Sequence, residues 1–326
     1  MIVDNYRPIS LLPVLSKVFE KCVFNQLYAY FQNYKLFYSS QYGFIKLHST
    51  ELACLELVDR ILQELDRGEL PIAIFIDLSK AFDTLDHQIL LSKLKYYGAD
   101  DTSLRWFSSY LSNRKQFVEI DGTCSQKKVI TTGVPQGSIL GPLLFIIYMN
   151  DIQFASDVFS SILYADDTNL ISPMSVFSSR DISITSDNIN LELNKISDWM
   201  AVNKLSLNIG KTKFMIFHYP QKKLKPNEIP VLKINNISIK KTKEFNFLGL
   251  TISETLQWNA HINKISNKIS KTIGIMHRIK RFVNTSILKL IYSALITPHL
   301  NYSLLCWGFS INRLQTLKKK QFASFV

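Results

Sequence analysis

The sequence predicts an α+β fold, because helical and strand-type patterns are mixed along the chain without an internal repeat. Apolar residues recur at helical spacing in long segments, and shorter apolar runs bounded by Gly, Pro or Asp have the length and composition of strands. At 326 residues, with 47% hydrophobic and 20% charged residues, the chain can bury a sizeable core and does not have a disordered composition.

Each element is predicted from its local pattern. The segments with helical periodicity are residues 16–34, 49–65, 85–97, 189–202 and 260–279, and residues 132–144 are expected to open as a Gly/Pro loop and become helical. The segments with strand patterns are residues 72–78, 117–121, 127–131, 205–209, 213–217 and 231–239. A hairpin is predicted around Gly122, and Asp83 and Asp86 are expected to cap the helix that follows them. The run at 72–78 is nearly continuously apolar and contains Asp77, which is typical of a buried strand that carries one carboxylate to its C-terminal end.

Two adjacent carboxylates, Asp166 and Asp167, lie between two apolar runs. Because Asp is unfavourable in strands and favourable in turns, this pattern predicts a tight β-hairpin with both carboxylates at its tip. An isolated Asp-Asp pair would be explained by the turn alone. Asp77 adds a third acid, whose position at the end of a buried strand would be costly without a cation. We therefore expect the three to converge on two Mg²⁺ ions roughly 3.5–4 Å apart, with Mn²⁺ as an alternative ion.

The charge of the chain is distributed unevenly. Residues 1–200 carry 17 Lys and Arg against 23 Asp and Glu, whereas residues 201–326 carry 21 against 3. A Lys-rich solvated surface would explain solubility but not this asymmetry. A basic C-terminal third suits a polyanion, because neutralised phosphates release counterions. Nucleic acid is favoured over a membrane, since no segment combines a basic face with an apolar insertion face.

Membrane, secretory and zinc-binding classes find no support in the sequence. The longest apolar stretch, residues 139–149, is shorter than the ~20 residues that span a bilayer. The N-terminal residues lack the pattern of a signal peptide, so an intracellular location is expected. The widely spaced cysteines, which we expect to be reduced, are Cys22, Cys54, Cys124 and Cys306.

Seven strings, in order along almost the whole chain, resemble the reverse transcriptases of non-long-terminal-repeat (LINE-type) retrotransposons, especially the jockey-like group. They are Asn5-Tyr6-Arg7-Pro8-Ile9-Ser10-Leu11-Leu12, Gln41-Tyr42-Gly43-Phe44 with Ser49-Thr50, Phe75-Ile76-Asp77-Leu78-Ser79-Lys80-Ala81-Phe82-Asp83, Gly133-Val134-Pro135-Gln136-Gly137-Ser138, Tyr164-Ala165-Asp166-Asp167, Gly210-Lys211-Thr212-Lys213 and Phe247-Leu248-Gly249. One such string would be weak evidence, but seven in register rarely arise by chance.

The resemblance implies a right-hand polymerase fold with fingers, palm and thumb, in which an antiparallel palm sheet carries the catalytic aspartates. Residues 1–250 would form the fingers and palm, and residues 251–326 a thumb-like region. The implied activity is RNA-directed DNA polymerisation, which extends the 3′-hydroxyl of a DNA primer with dNTPs on an RNA template. The family also implies a ribonucleoprotein of the nucleus and cytoplasm.

The resemblance implies catalytic and nucleotide-binding roles. Asp77 and Asp166 match the metal-binding aspartates, Asp167 matches their neighbouring acid, and Lys211 matches a lysine proposed to protonate the departing pyrophosphate, although it could be a simple phosphate contact. The implied nucleotide-binding residues are Arg7, Lys17, Phe82, Gln136 and Gly137. Of these, Phe82 would lie under the incoming sugar and exclude a ribose 2′-hydroxyl, although it could equally be a core aromatic.

The implied primer and template contacts lie in the basic part of the chain. Phe247, Leu248 and Gly249 resemble the primer grip. Lys264, Lys268 and Lys271, on the helix predicted at 260–279, could grip a phosphate backbone or belong to an ordinary surface helix.

Two departures from the family pattern leave an alternative open. Ile45 stands where the family usually has Arg, and the chain begins close to Arg7, so we expect a piece of a longer element or a decayed copy. The alternative function is a catalytically silent nucleic-acid-binding remnant. A structural protein without a nucleic-acid role would leave the basic third unexplained.

Overall fold

Helices surround a central sheet in the computed structural model, which describes residues 10–177 and 182–309. The helices in these ranges are α1 (Val14–Asn33), α2 (Thr50–Asp66), α3 (Ala81–Thr84), α4 (His87–Tyr96), α5 (Asp101–Leu111), α6 (Gly141–Met149), α7 (Ile182–Val202), α8 (Asn259–Ile279), α9 (Thr285–Leu295), α10 (Thr297–Asn301) and α11 (Leu304–Trp307). The strands are β1 (Pro71–Ile76), β2 (Lys115–Gln116), β3 (Glu119–Ile120), β4 (Thr123–Cys124), β5 (Lys128–Val129), β6 (Ser160–Tyr164), β7 (Asp167–Pro173), β8 (Lys213–Ile216), β9 (Lys233–Ile234), β10 (Ile237–Ser238), β11 (Lys240–Lys241), β12 (Glu244–Phe247) and β13 (Leu250–Ser253).

The central sheet has five strands in the order β11-β8-β1-β7-β6. All neighbours in it are antiparallel except β11 and β8, which pair in parallel. The central strand β1 pairs with β7 from Pro71↔Pro173 to Ile76↔Thr168. The predicted α+β class is therefore confirmed, with a sheet that is mainly antiparallel.

The sheet separates two hydrophobic cores. The first core contains Ile72, Ile74 and Ile76 of β1 together with α6, whose side chains are almost all buried. The second core contains Ala73 and Phe75 of β1 together with apolar residues of α2, α8 and the hairpin β12–β13. Because β1 is covered on both faces, its sequence is continuously apolar rather than alternating.

Helix boundaries agree with the sequence prediction where a capping residue marks them. Ser49 Oγ accepts the N–H of Leu52 at the start of α2. Asp86 caps α4 as predicted, because its carboxylate accepts two backbone N–H groups at 2.9 and 3.0 Å. Asp83 does not cap α4. It lies inside α3, and its carboxylate accepts instead from the side-chain amide of Gln136.

Three strand predictions require correction. The strand predicted at 205–209 is wrong, because within it only Leu207 forms an isolated bridge, with Leu78, before the chain turns. The strand predicted at 231–239 is divided into β9 and β10 by a two-residue turn, in which Asn235 and Asn236 have φ of 51° and 65°. The hairpin around Gly122 is confirmed, but β3 pairs with β4 at its tip and β2 with β5 at its base, so residues 117–121 do not pair with 127–131.

The pattern analysis also missed elements, namely α3, α5, β11, the β12–β13 hairpin and the helices that follow α8. The domain boundary expected between residues 250 and 251 falls inside β13, whose partner β12 precedes it. The four cysteines all lie in the described ranges and form no disulfide. Within residues 10–177 and 182–309, none of the helices combines the length and the apolar character that crossing a membrane requires.

Candidate active site

The hairpin β6–β7 presents the paired carboxylates at its tip, as predicted. Tyr164 and Asp167 are the last paired residues, so Ala165 and Asp166 form a two-residue turn. Ala165 has a φ of 56°. Positive φ is uncommon for a residue with a side chain, so this turn depends on support from its surroundings.

Asp77 reaches the same edge of the sheet. It follows directly after β1, whose last pair with β7 is Ile76↔Thr168. Continuing this register by one residue places Asp77 opposite Asp167. Because side chains alternate along a strand, Asp77 continues the face of Ala73 and Phe75, which is the face of the second core. The three acids, far apart in sequence, therefore share one edge of the sheet, and Asp77 and Asp167 share one face.

The three carboxylates at this edge do not form a complete metal-binding cluster. Across the two described ranges, no group of three acidic, histidine or cysteine side chains is close enough to hold a metal ion. The donor set nevertheless fits a hard divalent cation, because it consists of carboxylate oxygens on adjacent strands.

The backbone around Asp77 is held by the segment that contains Lys211. The carbonyl of Asp77 accepts the N–H of Asn208 at 2.8 Å, and its N–H points to Thr212 Oγ1 at 3.4 Å. Lys211 lies in the turn between these two contacts, and its side chain is exposed. The structure therefore brings the predicted lysine to the segment that flanks Asp77.

Phe82 lies half-buried at the border of the first core. Its ring stacks on Phe145 of α6 with the centroids 4.3 Å apart, and it meets Phe44 edge-on at 6.3 Å. The residue as a whole is partly exposed. Both interpretations of Phe82 are therefore compatible with its position, since the residue packs on the core without being fully buried.

The loop that contains Gln136 and Gly137 is tied to the residues after Asp77. The N–H of Gly133 bonds to the carbonyl of Leu85 at 2.7 Å, and that of Val134 bonds to the carbonyl of Phe82 at 2.9 Å. The side chain of Gln136 donates to the carboxylate of Asp83 at 3.1 Å. The structure thus brings the predicted nucleotide loop to Phe82.

Of the two cations predicted in the fingers, Arg7 and Lys17, the structure describes only Lys17. Arg7 lies outside the described residues. Lys17 is exposed on α1. Ile45, at the position where a cation was expected, is half-buried against the first core.

The predicted primer grip is the tip of the hairpin β12–β13. Phe247 is buried in the second core, and Leu248 and Gly249 form a turn with φ of 45° and 91°. The hydroxyl of Tyr302 donates to the carbonyl of Leu248. The thiol of Cys54 lies 3.8 Å from the carbonyl of Phe247, and burial raises the pKa of Cys54 to about 11.

The predicted basic helix is α8. Its apolar face is buried in the second core, and Lys264, Lys268 and Lys271 are exposed. Lys264 Nζ donates to Asn246 Oδ1 of β12 at 3.1 Å, so one of these lysines also fastens the hairpin. The helix therefore packs on the same side of the sheet as the face of Asp77.

Sequence reasoning assigned no role to Gln41 and Gly43, which contact the turn directly. Gln41 is buried, and its Oε1 accepts the N–H groups of Gly43 at 2.8 Å and Ala165 at 3.2 Å. A Cβ at Gly43 would lie 2.4 Å from the nitrogen of Ala165. The available signal was the glycine within the string of residues 41–44, since glycine permits close backbone approach.

The sequence matches the family model of the reverse transcriptase (RNA-dependent DNA polymerase) over residues 3–252. It is 28% identical, over 97% of this chain, to the probable RNA-directed DNA polymerase from transposon BS of Drosophila melanogaster, and this match covers 36% of that protein. It is 27% identical, over 98% of this chain, to the RNA-directed DNA polymerase from mobile element jockey of Drosophila funebris, of which the match covers 35%. The chain thus spans about a third of the length of these curated relatives.

Among solved structures, the telomerase of Candida albicans in complex with a fragment of telomeric RNA aligns with a TM-score of 0.48 and 14% identity, over 96% of this chain and 53% of that one. A likeness at this level does not by itself assign a function.

Proposed function

Because the chain belongs to the reverse transcriptase (RNA-dependent DNA polymerase) family, we propose that it is the RNA-directed DNA polymerase part of a non-long-terminal-repeat retrotransposon protein. It extends the 3′-hydroxyl of a DNA primer with dNTPs on an RNA template. The family match and the mainly antiparallel sheet agree with the right-hand polymerase fold that the sequence predicts.

One observation carries this proposal. Asp77 and the pair Asp166-Asp167 come from distant parts of the sequence, yet the register of β1 with β7 places them at one edge of the sheet. Because both faces of β1 are buried, packing alone does not explain why carboxylates lie at this edge of the sheet. A binding site for a hard cation explains their position.

In this proposal, Asp77, Asp166 and Asp167 hold two divalent ions, Mg²⁺ or alternatively Mn²⁺. When bound, such ions supply activation of the attacking hydroxyl and stabilisation of the leaving pyrophosphate. The carboxylates orient the reacting groups, and Lys211, exposed in the turn beside Asp77, donates a proton to the pyrophosphate as it leaves.

We assign selection of the nucleotide to the loop that contains Gln136 and Gly137 and to the ring of Phe82. Gln136 and Gly137 approach the nascent base pair. Phe82, braced by its stack on Phe145, closes the space under C2′ of the sugar. Lys17 on α1 and Arg7 neutralise the triphosphate.

Primer and template are assigned to the side of the sheet that carries the second core. The hairpin tip at Leu248 and Gly249 and the exposed lysines of α8 belong to elements packed on this side, which is also the face of Asp77. An A-form hybrid held through its backbone requires no sequence preference. The division into fingers and palm (residues 1–250) and a thumb-like region (251–326) is part of the proposal, as is an intracellular ribonucleoprotein location.

Primer extension tests the proposal. On poly(rA)/oligo(dT) with Mg²⁺, the chain should incorporate dTTP, and Asp166→Ala should abolish incorporation. Asp59→Ala is the matched control, because it removes an exposed carboxylate on α2. Incorporation that survives Asp166→Ala would refute the assigned role. Hybrid binding without extension by the unmodified chain would select the silent remnant instead.

A further inference from the structure

Glu20 is a buried carboxylate that the polymerase reaction does not use directly. It lies in α1 and is 1% exposed. Among the described residues, no Lys, Arg or His side chain forms an ion pair with it. A buried carboxylate without a cation is costly, so its hydrogen bonds must compensate for the lost water.

Three hydrogen bonds satisfy this carboxylate, and two of them come from the main chain that follows the nucleotide loop. Oε2 accepts the N–H of Ile139 at 2.8 Å and that of Leu140 at 3.4 Å. Oε1 accepts the hydroxyl of Tyr110 at 3.0 Å. Leu140 is the N-cap residue of α6, so Glu20 binds the main chain where α6 begins, beside Ser138, whose hydroxyl accepts the N–H of Gly141 at 2.9 Å. A negative charge at this end of α6 is also favoured by the helix dipole.

The loop that contains Gln136 and Gly137 is held at both of its ends. On one side, Val134 bonds to the carbonyl of Phe82. On the other side, the chain is held by Glu20 through Ile139 and Leu140. Glu20 therefore holds the second end of this loop together with Ser138, whose hydroxyl donates to the carbonyl of Pro135 at 2.9 Å.

The same side chain connects the loop to α1. Lys17 lies one helical turn before Glu20, so the two residues occupy neighbouring positions on the helix surface, one exposed and one buried. The carbonyl of Gln136 also accepts the N–H of Ser10, which precedes α1, at 3.0 Å. A displacement of α1 would therefore shift the loop as well.

We infer that Glu20 is a positioning residue for the incoming nucleotide: it holds Gln136 and Gly137 in register with Lys17, so that the loop and α1 engage one dNTP together. This inference rests on the proposed polymerase function, which supplies the nucleotide. Glu20 itself touches neither nucleotide nor metal.

The effect of substitution depends on whether the acceptor for Ile139 is kept. Glu20→Ala removes it, and the loop is released at one end. Glu20→Gln keeps one oxygen for the loop, and its amide group can face the hydroxyl oxygen of Tyr110, which accepts as well as donates. Tyr110→Phe is the matched control, because it removes the bond to Oε1 and leaves both loop bonds in place.

The kinetics of single-nucleotide incorporation distinguish a role of Glu20 in positioning the nucleotide loop from a role in stability alone. For Glu20→Ala we expect the KM for dTTP to rise roughly tenfold, as the loss of a charge-assisted bond implies, with kcat changed less. Glu20→Gln and Tyr110→Phe should keep the KM within about threefold of the original value. A merely structural role would lower the active fraction, and hence kcat, without moving the KM.

Amide hydrogen exchange gives a readout that does not depend on activity. The peptide covering residues 136–141 should exchange faster in Glu20→Ala than in the unmodified chain and remain protected in Tyr110→Phe. Leu94→Ala, which truncates a buried residue of the same core, controls for general loosening. The inference is overturned if Leu94→Ala, with the same loss of melting temperature as Glu20→Ala, raises the KM for dTTP and the exchange rate as much as Glu20→Ala does. It is also overturned if Glu20→Ala changes neither the KM nor the exchange rate. An unmodified chain without any incorporation would count against the proposed function, and the exchange data would still decide whether Glu20 holds the loop.

Discussion

The side-chain oxygen of Gln41 accepts a hydrogen bond from the N–H of Ala165, at 3.2 Å, in the turn that carries Asp166. Beside it, Gly43 packs so closely on Ala165 that there is no room for a Cβ. Residues 40–42 also bond to Leu163 along β6, so this segment extends the sheet at its edge. The strained turn is therefore supported by a segment more than a hundred residues away in the sequence.

Gly43→Ala tests this support. The new methyl group would lie 2.4 Å from the nitrogen of Ala165, so the turn or the segment must move. We expect the free energy of unfolding to fall by about 1–3 kcal/mol. We expect primer extension to fall roughly 100-fold, because a displaced catalytic group loses its alignment. Thermal unfolding and single-turnover extension measure the two effects.

Gly274→Ala is the control for that substitution. Gly274 lies in α8 with open space around its Cβ position. Its replacement should stabilise the chain by about 0.5–1 kcal/mol, since alanine is the better helix former, and leave extension unchanged. Equal activities of the two alanine variants would contradict the supporting role of Gly43.

Tyr302→Phe tests the hairpin tip. The hydroxyl of Tyr302 donates to the carbonyl of Leu248, and removal of the hydroxyl leaves that carbonyl without this donor. We expect a loss of stability of about 1 kcal/mol and a higher KM for primer-template at unchanged KM for dTTP. Tyr96→Phe, at a residue that is 86% exposed, is the control. A shift in both KM values would argue that the effect is not confined to primer binding.

Lys268 and Lys271 test the nucleic-acid surface. Both are exposed on α8, so their joint replacement by Ala should cost little stability. If each neutralises one phosphate, the slope of log K against log salt for hybrid binding should become shallower by about two. The matched pair is Lys35, in the turn after α1, and Lys95, on α4. Both are exposed next to residues of the first core and should leave the slope unchanged. An unchanged slope for the α8 pair would place the hybrid elsewhere.

Because of the buried His261, we expect the free energy of unfolding to decrease in acid. Its Nδ1 accepts the N–H of Thr251, its Nε2 has no partner among the described residues, and burial, with Lys264 and Lys268 nearby, lowers the pKa of His261 from 6.5 to about 4. Between these values the unfolded chain binds a proton that the folded chain does not. Stability should therefore fall as the pH drops from 6.5 towards 4, by up to about 3 kcal/mol.

Urea unfolding at a series of pH values measures this effect. His261→Asn keeps an acceptor for Thr251 but does not titrate, so the difference between the two chains isolates the histidine. If their stabilities decline in parallel as the pH falls, the assignment to His261 is wrong.

Local patterns predicted the elements whose signals lie within a few residues. The apolar run at 72–78 identified β1, the Asp-Asp pair identified the β6–β7 turn, and Asp86 identified the start of α4. Local patterns did not predict the short strands reliably. Residues 205–209 have a strand-like composition, but the chain turns to hold Asp77 instead of pairing along its length.

By itself, the sequence determined the class of fold, the family, and the set of acidic, aromatic and basic residues offered for chemistry, because residue type, spacing and motif order are local properties of the chain. Only the tertiary structure decided which residues support that chemistry. Gln41 against Ala165, Glu20 against Ile139 and Tyr302 against Leu248 are contacts across 54 to 124 positions. Such pairings depend on strand register and helix packing, which bring distant backbone groups within hydrogen-bond range, and no periodicity in the sequence encodes them.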